Sequence, residues 1–173
     1  VSGYLQKIES AVTEIRSQVD FSRIYHDIGA NEPQWIMLDA VIPRSAVPAG
    51  VSLDAAVEGV EIFADPMLGK IFSNLLDNSL RHGGHVTKIR VTAGMSCDDL
   101  VITWEDNGTG VAVGEKERIF ERGFGKNTGF GMYLIREILS LTGISIRETG
   151  VPGKGARFEM LVPKRQYRLH ANA

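Results

Sequence analysis

Residues 65–82, DPMLGKIFSNLLDNSLRH, constrain the fold more than any other stretch of the chain. Asp65 followed by Pro66 predicts a helix start: a side-chain acceptor at the cap, then a residue with no N–H to leave unpaired. Lys70, Asn74, Asn78 and Arg81 are spaced by four, four and three residues and line one face. Leu68, Ile71, Phe72, Leu75, Leu76 and Ser79 form the opposite face and read as core. Asn is a mediocre helix former, costing up to about 0.7 kcal/mol relative to Ala. Exposed helix faces are normally filled with Glu, Lys or Gln. Two amides one turn apart imply that this face holds something.

Such a helix needs a core to lie on, and 173 residues suffice for one substantial core and an appendage. The formal net charge of −2 gives no overall field toward nucleic acid, and no nucleic-acid partner is expected. The single cysteine, Cys97, excludes an internal disulfide and is compatible with a reducing compartment. No apolar run approaches the roughly 20 residues of a membrane span, and the N-terminus lacks a signal-peptide pattern. A cytoplasmic piece is expected, which leaves membrane attachment of a parent protein open.

Residues 1–29 differ from the rest. Leu5, Ile8, Val12, Ile15 and Val19 alternate steps of three and four, the seam of a coiled coil or antiparallel bundle. Glu9, Glu14, Arg16 and Gln18 fall outside that seam. The narrow stripe favours a bundle or dimer element over a helix packed on its own domain. His26 falls on the linker side and Gly29 punctuates the end. The expected division is a helix over 1–29 and a second unit over 30–173.

From Pro33 the texture is mixed. Residues 35–38 read as a short strand, 43–50 as a loop, and 57–64 as a strand interrupted by Gly59. Ile89, Val91 and Ala93 alternate inward over 88–95, and Leu100, Ile102 and Trp104 over 100–104, with a hairpin loop at 96–99. A long irregular stretch, 105–128, is broken by an expected short helix over 116–120. A helix over 129–141 and strands over 144–148 and 157–162 close the chain. This order predicts an α+β sandwich: a mixed, largely antiparallel sheet with helices on one face, plus the N-terminal helix.

Three glycine segments punctuate this plan: Asp106-Asn107-Gly108-Thr109-Gly110, Asn127-Thr128-Gly129-Phe130-Gly131-Met132, and Gly153-Lys154-Gly155. Glycines at a helix start free backbone N–H groups to face a phosphate, and the helix dipole adds to the attraction. Any one such pair is usually turn chemistry. Asp106 sets the first segment apart, because a carboxylate at a strand end can accept the hydrogen bond of an exocyclic amine such as adenine's.

Asn74-Leu75-Leu76-Asp77-Asn78-Ser79, Asp106 to Gly110, Ile119-Phe120-Glu121-Arg122-Gly123-Phe124 and Thr128-Gly129-Phe130-Gly131 follow one another in a distinctive order and spacing. They resemble the N, G1, F and G2 boxes of the catalytic ATP-binding domain of sensor histidine kinases, in the GHKL ATPase superfamily. Gly153-Lys154-Gly155 resembles the last glycine box, G3. The resemblance covers about residues 33–163 and implies a Bergerat-type α/β sandwich. It also implies that 1–29 is the second helix of a dimerisation and phosphotransfer domain. Asp20-Phe21 through Asp27-Ile28-Gly29 is more loosely similar to sensor kinases of methanogenic archaea.

The resemblance implies ATP and Mg²⁺ as ligands and assigns roles to residues. Asn78, with Asn74, would hold the metal, and Asn78 and Arg81 would act on the transferred phosphate. His82 would stand against the adenine, Asp106 would accept from its N6, and Gly108 and Gly110 would shape the pocket. Phe120 and Phe124 would anchor a lid, and Lys126 would lie on it beside the phosphates. Gly129 and Gly131 would approach the phosphates, with Thr128, Phe130 and Met132 of the same segment against the nucleotide. Structural readings stand beside these: His82 completing a helix end, Phe120 and Phe124 as core, Lys126 as solvated, and Asp77 paired with Lys70 or Arg81.

The lid, 111–128, is short and glycine-rich, with few apolar residues beyond Ile119, Phe120 and Phe124, and is expected to be mobile without nucleotide. Gly123 stands where many members of the family have a bulkier residue. None of His26, His82, His85 and His170 matches the family's phosphoacceptor motif, so the acceptor helix is expected to precede residue 1. The implied partners are that phosphoacceptor domain, a response regulator and a second copy in a parent homodimer. A hydrolysing ATPase, like gyrase, the MutL proteins or the heat-shock chaperones, and a nucleotide-binding pseudokinase are the alternatives. The hydrolysing members carry a Glu one turn before the magnesium Asn; here Asn74 stands there, a poor base.

Overall fold

In the computed structural model, which describes residues 2–125 and 130–170, a 26-residue helix, α1 (Ser2–Asp27), leads into a two-sheet body. The larger sheet has five strands: β2 (Ser52–Ala56), β4 (Lys88–Ser96), β5 (Asp99–Asp106), β6 (Ser145–Glu148) and β7 (Arg157–Val162). Their order is β2-β4-β5-β7-β6, with β2 and β4 parallel and every other pair antiparallel. Register aligns Val91, Trp104 and Phe158 in one row and Ala93, Ile102 and Met160 in another. One face of the sheet is therefore continuously apolar, as the alternation predicts.

Helices α3 (Leu68–His82) and α4 (Gly131–Ser140) cover that face. The apolar side of α3, from Leu68 to Ser79, is buried as expected, with Phe72 against Trp104 at 6.3 Å between ring centres. Each such aliphatic or aromatic side chain contributes about 1.5–3 kcal/mol through burial. The opposite face of the sheet carries charge: Arg147 and Arg157 flank Glu159 at 2.9 and 3.2 Å. Burial pushes the Glu159 pKa up, but hydrogen bonds from Arg147 and Thr149 and the charges of both arginines outweigh it. The carboxyl is held below its ordinary range.

Several elements differ from the sequence expectation. A second, three-stranded antiparallel sheet, β1-β3-β8, forms from β1 (Gln34–Met37), β3 (Val60–Ala64) and β8 (Tyr167–Leu169). The stretch expected as one strand over 57–64 begins with a turn, in which Val60 N–H donates to the Val57 carbonyl and Gly59 has φ 72°. β2, before that turn, was not expected: Ser-Leu-Asp-Ala-Ala lacks β-branched residues, and its pairing with β4 supplies the order. A short helix, α2 (Leu38–Val41), begins where the first strand was expected to end. The helix expected over 116–120 is instead two 3₁₀ turns, Val113–Glu115 and Arg118–Phe120.

The entrance to α3 also differs. Asp65 caps a turn that precedes the helix: Oδ1 accepts from Met67 N–H at 2.8 Å, and α3 starts at Leu68. Its Oδ2 accepts from Gly29 N–H at 3.3 Å, so the same carboxylate ties the end of α1 to the entrance of α3. Gly29 has φ 72°, a left-handed conformation that ends α1.

The seam of α1 is exposed, from 45% at Val12 to 61% at Ile15. Near its C-terminal end Phe21 is buried, stacked on Phe130 with ring centres 4.1 Å apart. The Arg122 guanidinium lies 5.1 Å from the Phe21 ring, and the Tyr133 ring packs against it, tilted, at 6.2 Å between centres. Burial, followed by the charge of Glu137, raises the Tyr133 hydroxyl pKa above its ordinary value. Among the described residues no helix is long and apolar enough to cross a membrane.

Candidate nucleotide site

Asp106 ends β5 in an inward position and is 4% exposed. A carboxylate there is costly unless its oxygens are satisfied. Oδ1 accepts from the N–H groups of Gly108 (2.9 Å) and Ala156 (3.1 Å), and Oδ2 accepts from Ser79 Oγ at 2.7 Å. Ser79 Oγ in turn accepts from Trp104 Nε1 at 3.1 Å. A carboxylate has about four acceptor positions, so one is left on Oδ2 for a further donor. Ser79 and Trp104 read as plain core in the sequence. The available signal was a hydroxyl within an otherwise apolar helix face.

The glycines around Asp106 serve backbone-on-backbone packing. A Cβ on Gly108 would lie 2.4 Å from the Gly83 carbonyl oxygen, and one on Gly155 only 1.8 Å from that of Asp106. Gly110, at φ 71°, leaves room for the Gly155 carbonyl, which a Cβ would meet at 2.7 Å. Thr109 N–H donates to Gly83 O and Gly153 N–H to Thr109 O, so the first and last glycine segments brace each other. Asn107 pins the same turn from outside, its Oδ1 accepting from Thr87 and Lys88 N–H at 3.0 Å.

On α3, Asn74 and Asn78 are half-buried, whereas Arg81 and His82 are exposed. Asn74 Nδ2 donates to the Gly131 carbonyl at 3.3 Å, which brings the amide row beside the start of α4. Asp77 pairs with Arg81 at 2.6 Å, not with Lys70. Phe120 is core, 2% exposed, edge-on to Phe158 and capped by the Arg136 guanidinium at 4.2 Å. Phe124 is half-buried beneath Arg118 at 4.6 Å. Phe130 packs on Phe21, and Met132 joins the core. Lys126, Thr128 and Gly129 lie outside the described residues. Part of the 111–128 stretch is fastened to the body of the protein. There Phe120 is buried, Glu117 pairs with Arg136 at 3.1 Å, and Lys116 with Glu148 at 2.7 Å.

Among the described residues there is no group of three or more His, Cys, Asp or Glu side chains suited to a metal. The donors present are the amide oxygens of Asn74 and Asn78, which accept no hydrogen bond among the described residues. One or two hard oxygens of this kind suit a Mg²⁺ that arrives on phosphates and keeps several waters.

The Asp106 carboxylate, the amide row of α3 and the start of α4 thus converge between β5, α3 and α4. A profile of the family described as "Histidine kinase-, DNA gyrase B-, and HSP90-like ATPase" matches residues 64–166, more than half of the chain. The chain belongs to this family. Within it, the chain is an ATP-binding catalytic domain whose curated relatives are sensor kinases. The alginate biosynthesis sensor protein KinB of Pseudomonas aeruginosa is 39% identical over 99 residues, covering 54% of the chain and 17% of KinB. The sensor protein ChvG of Rhizobium meliloti is 27% identical over 177 residues, covering 92% and 27%. The chain therefore spans between 17% and 27% of the length of these relatives. Among solved structures, the mycobacterial sensor histidine kinase MprB superposes with a TM-score of 0.67 at 19% identity, covering 78% of the chain and 99% of MprB. Full-length ShkA, in complex with AMPPNP, gives 0.70 at 19%, covering 99% and 40%. These likenesses show the family's α+β fold together with an N-terminal helix.

Proposed function

We propose that the chain binds Mg²⁺-ATP between α3 and the 111–128 lid and presents the γ-phosphoryl group to a histidine on a helix packed against α1. The observation that carries this reading is the Asp106 carboxylate, held by three donors with one acceptor position left over. The N6 amine of adenine is a donor and suits that position; the O6 of guanine would meet it as a second acceptor. The AMPPNP complex of ShkA supports extending an adenine nucleotide to this site.

Asn78 and Asn74 would hold Mg²⁺ through their amide oxygens, and the ion would neutralise charge on the phosphates. Arg81 reaches the same row. Its exposed pair with Asp77 is worth only about 0.3–0.5 kcal/mol, so a phosphate can compete for the guanidinium. The start of α4 adds backbone N–H groups and the positive end of its dipole, with Gly129, Thr128 and Lys126 ahead of it. His82 would stand against the purine, and Gly108 and Gly110 would form the wall of its pocket.

In the transfer step an imidazole nitrogen bonds to the γ-phosphorus as the bond to the bridging oxygen breaks, and ADP leaves. The protein contributes position and charge rather than a covalent group. Asn74 spends its Nδ2 on Gly131 and carries no carboxylate to polarise water, which favours transfer over hydrolysis. The division into a phosphotransfer helix over 1–29 and a catalytic domain over 30–173 belongs to the same reading. So do a second copy and a response regulator as partners.

Asp106→Asn tests the reading. The new side chain can keep Oδ1 toward Gly108 and Ala156 and donate Nδ2 to Ser79 Oγ, so the fold survives. The adenine amine loses its acceptor, and calorimetry should show ATP binding weakened by about 1.5–3 kcal/mol. Unchanged affinity in a folded variant removes the adenine assignment. Supplied with the acceptor helix, the chain should form an acid-labile, base-stable phosphohistidine. Rapid ATP turnover without a phosphoprotein would instead place it with the hydrolysing members.

A further inference from the structure

β6 turns Ile146 and then Glu148 to the interior, and Glu148 stands opposite Phe158 in the sheet. A carboxylate among apolar side chains is costly unless paired and hydrogen-bonded. Its side chain is fully shielded from solvent and its partners are specific. Oε1 accepts from the N–H groups of Gly150 (2.9 Å) and Arg157 (3.1 Å), and Oε2 lies 2.7 Å from Lys116 Nζ. Lys116, itself largely buried, also donates to the Gly150 carbonyl. Lys116 stands between the two 3₁₀ turns at the base of the lid. One ion pair therefore fastens the lid base to the near end of the 149–156 loop.

The far end of that loop is where Asp106 is held. Ala156 N–H donates to Asp106 Oδ1, and the Ala156 carbonyl accepts from Asp106 N–H at 3.0 Å. Gly153 N–H donates to the Thr109 carbonyl at 2.7 Å. We propose that Lys116 and Glu148 are positioning residues for the purine site, setting the 149–156 loop so that it holds Asp106 and its turn in the geometry that adenine needs. The inference rests on the reading of Asp106 as the adenine acceptor. Loss of Lys116 leaves the Glu148 charge buried without its counterion and releases the Gly150 carbonyl. The near end of the loop is then held through backbone N–H groups alone, and the loop shifts the Ala156 donor that orients the Asp106 carboxylate.

Three variants separate positioning from bulk stability: Lys116→Met, Lys116→Arg, and Lys116→Met combined with Glu148→Gln. The combined variant keeps an Oε1 acceptor for Gly150 and Arg157 and buries no charge, so it folds. ADP binding is measured by calorimetry well below each melting temperature, and the amide resonances of Gly108 and Ala156 are recorded without nucleotide. ADP affinity should fall about tenfold in Lys116→Met and in the combined variant, the low end of what losing an outer-shell partner costs a site. Both amide resonances should move, and Lys116→Arg should restore most of the affinity. A merely structural pair would lower the melting temperature while leaving ADP affinity and both amides unchanged, and that result overturns the proposal. If the parent chain binds ADP and the variants match it, the proposal alone fails. If the parent chain binds no ADP, the reading of Asp106 fails and carries this proposal with it.

Discussion

Helices α1 and α3 both place apolar residues at steps of three and four, yet Leu75 of α3 is fully buried while Ile15 of α1 keeps 61% of its surface. Width separates them. The stripe of α3 includes adjacent pairs, Ile71-Phe72 and Leu75-Leu76, and fills the broad face of a helix laid on a sheet. The stripe of α1 is a single file, the geometry of a seam between helices. Periodicity reveals which face of a helix is apolar, and the breadth of that face indicates what kind of surface covers it.

Substitutions in the two helices test that comparison. The largest effect is expected at Leu75→Ala, which opens a cavity beneath the sheet and should cost about 2–5 kcal/mol in urea unfolding. A smaller cost would mean that α3 repacks more easily than its full burial implies. Phe21→Ala removes both the burial of the ring and its stack on Phe130 and should cost about 2–4 kcal/mol. Amide exchange along the C-terminal turns of α1 should quicken while α3 stays protected. Equal acceleration in α3 would show that the two helices unfold as one unit. The smallest effect is expected for Ile8→Ser combined with Val12→Ser, within about 0.5 kcal/mol for the monomeric chain. A loss above that in the monomer would show that the body of the protein covers the stripe after all.

Much of the body was legible because its signals are local. The core face of α3, the β4–β5 hairpin with Ile89 and Val91 inward, and β7 over Arg157–Val162 all follow from alternation or helical spacing. β2 and β8 were not legible. Ser-Leu-Asp-Ala-Ala becomes a strand through its partner β4, and Tyr-Arg-Leu through β3. The site divides in the same way. Asp106, Asn74 and Asn78 stood out by residue type and spacing, but the Trp104–Ser79–Asp106 chain joins residues 25 and 27 positions apart. Glu148 left one trace: after Ile144 and Ile146 it falls on the inward side of the strand, where a carboxylate needs a distant partner.

The Phe21–Phe130 stack gives α1 a pivot. Leu5 lies sixteen residues from Phe21, about 24 Å along the helix axis. A rotation of about 10° about Phe21 would carry Leu5 through about 4 Å, while the ring at the pivot moves only a small fraction of that. A tilt of α1 would therefore reach Phe130, one residue before the start of α4 and beside Arg122 of the lid, only as a slight displacement.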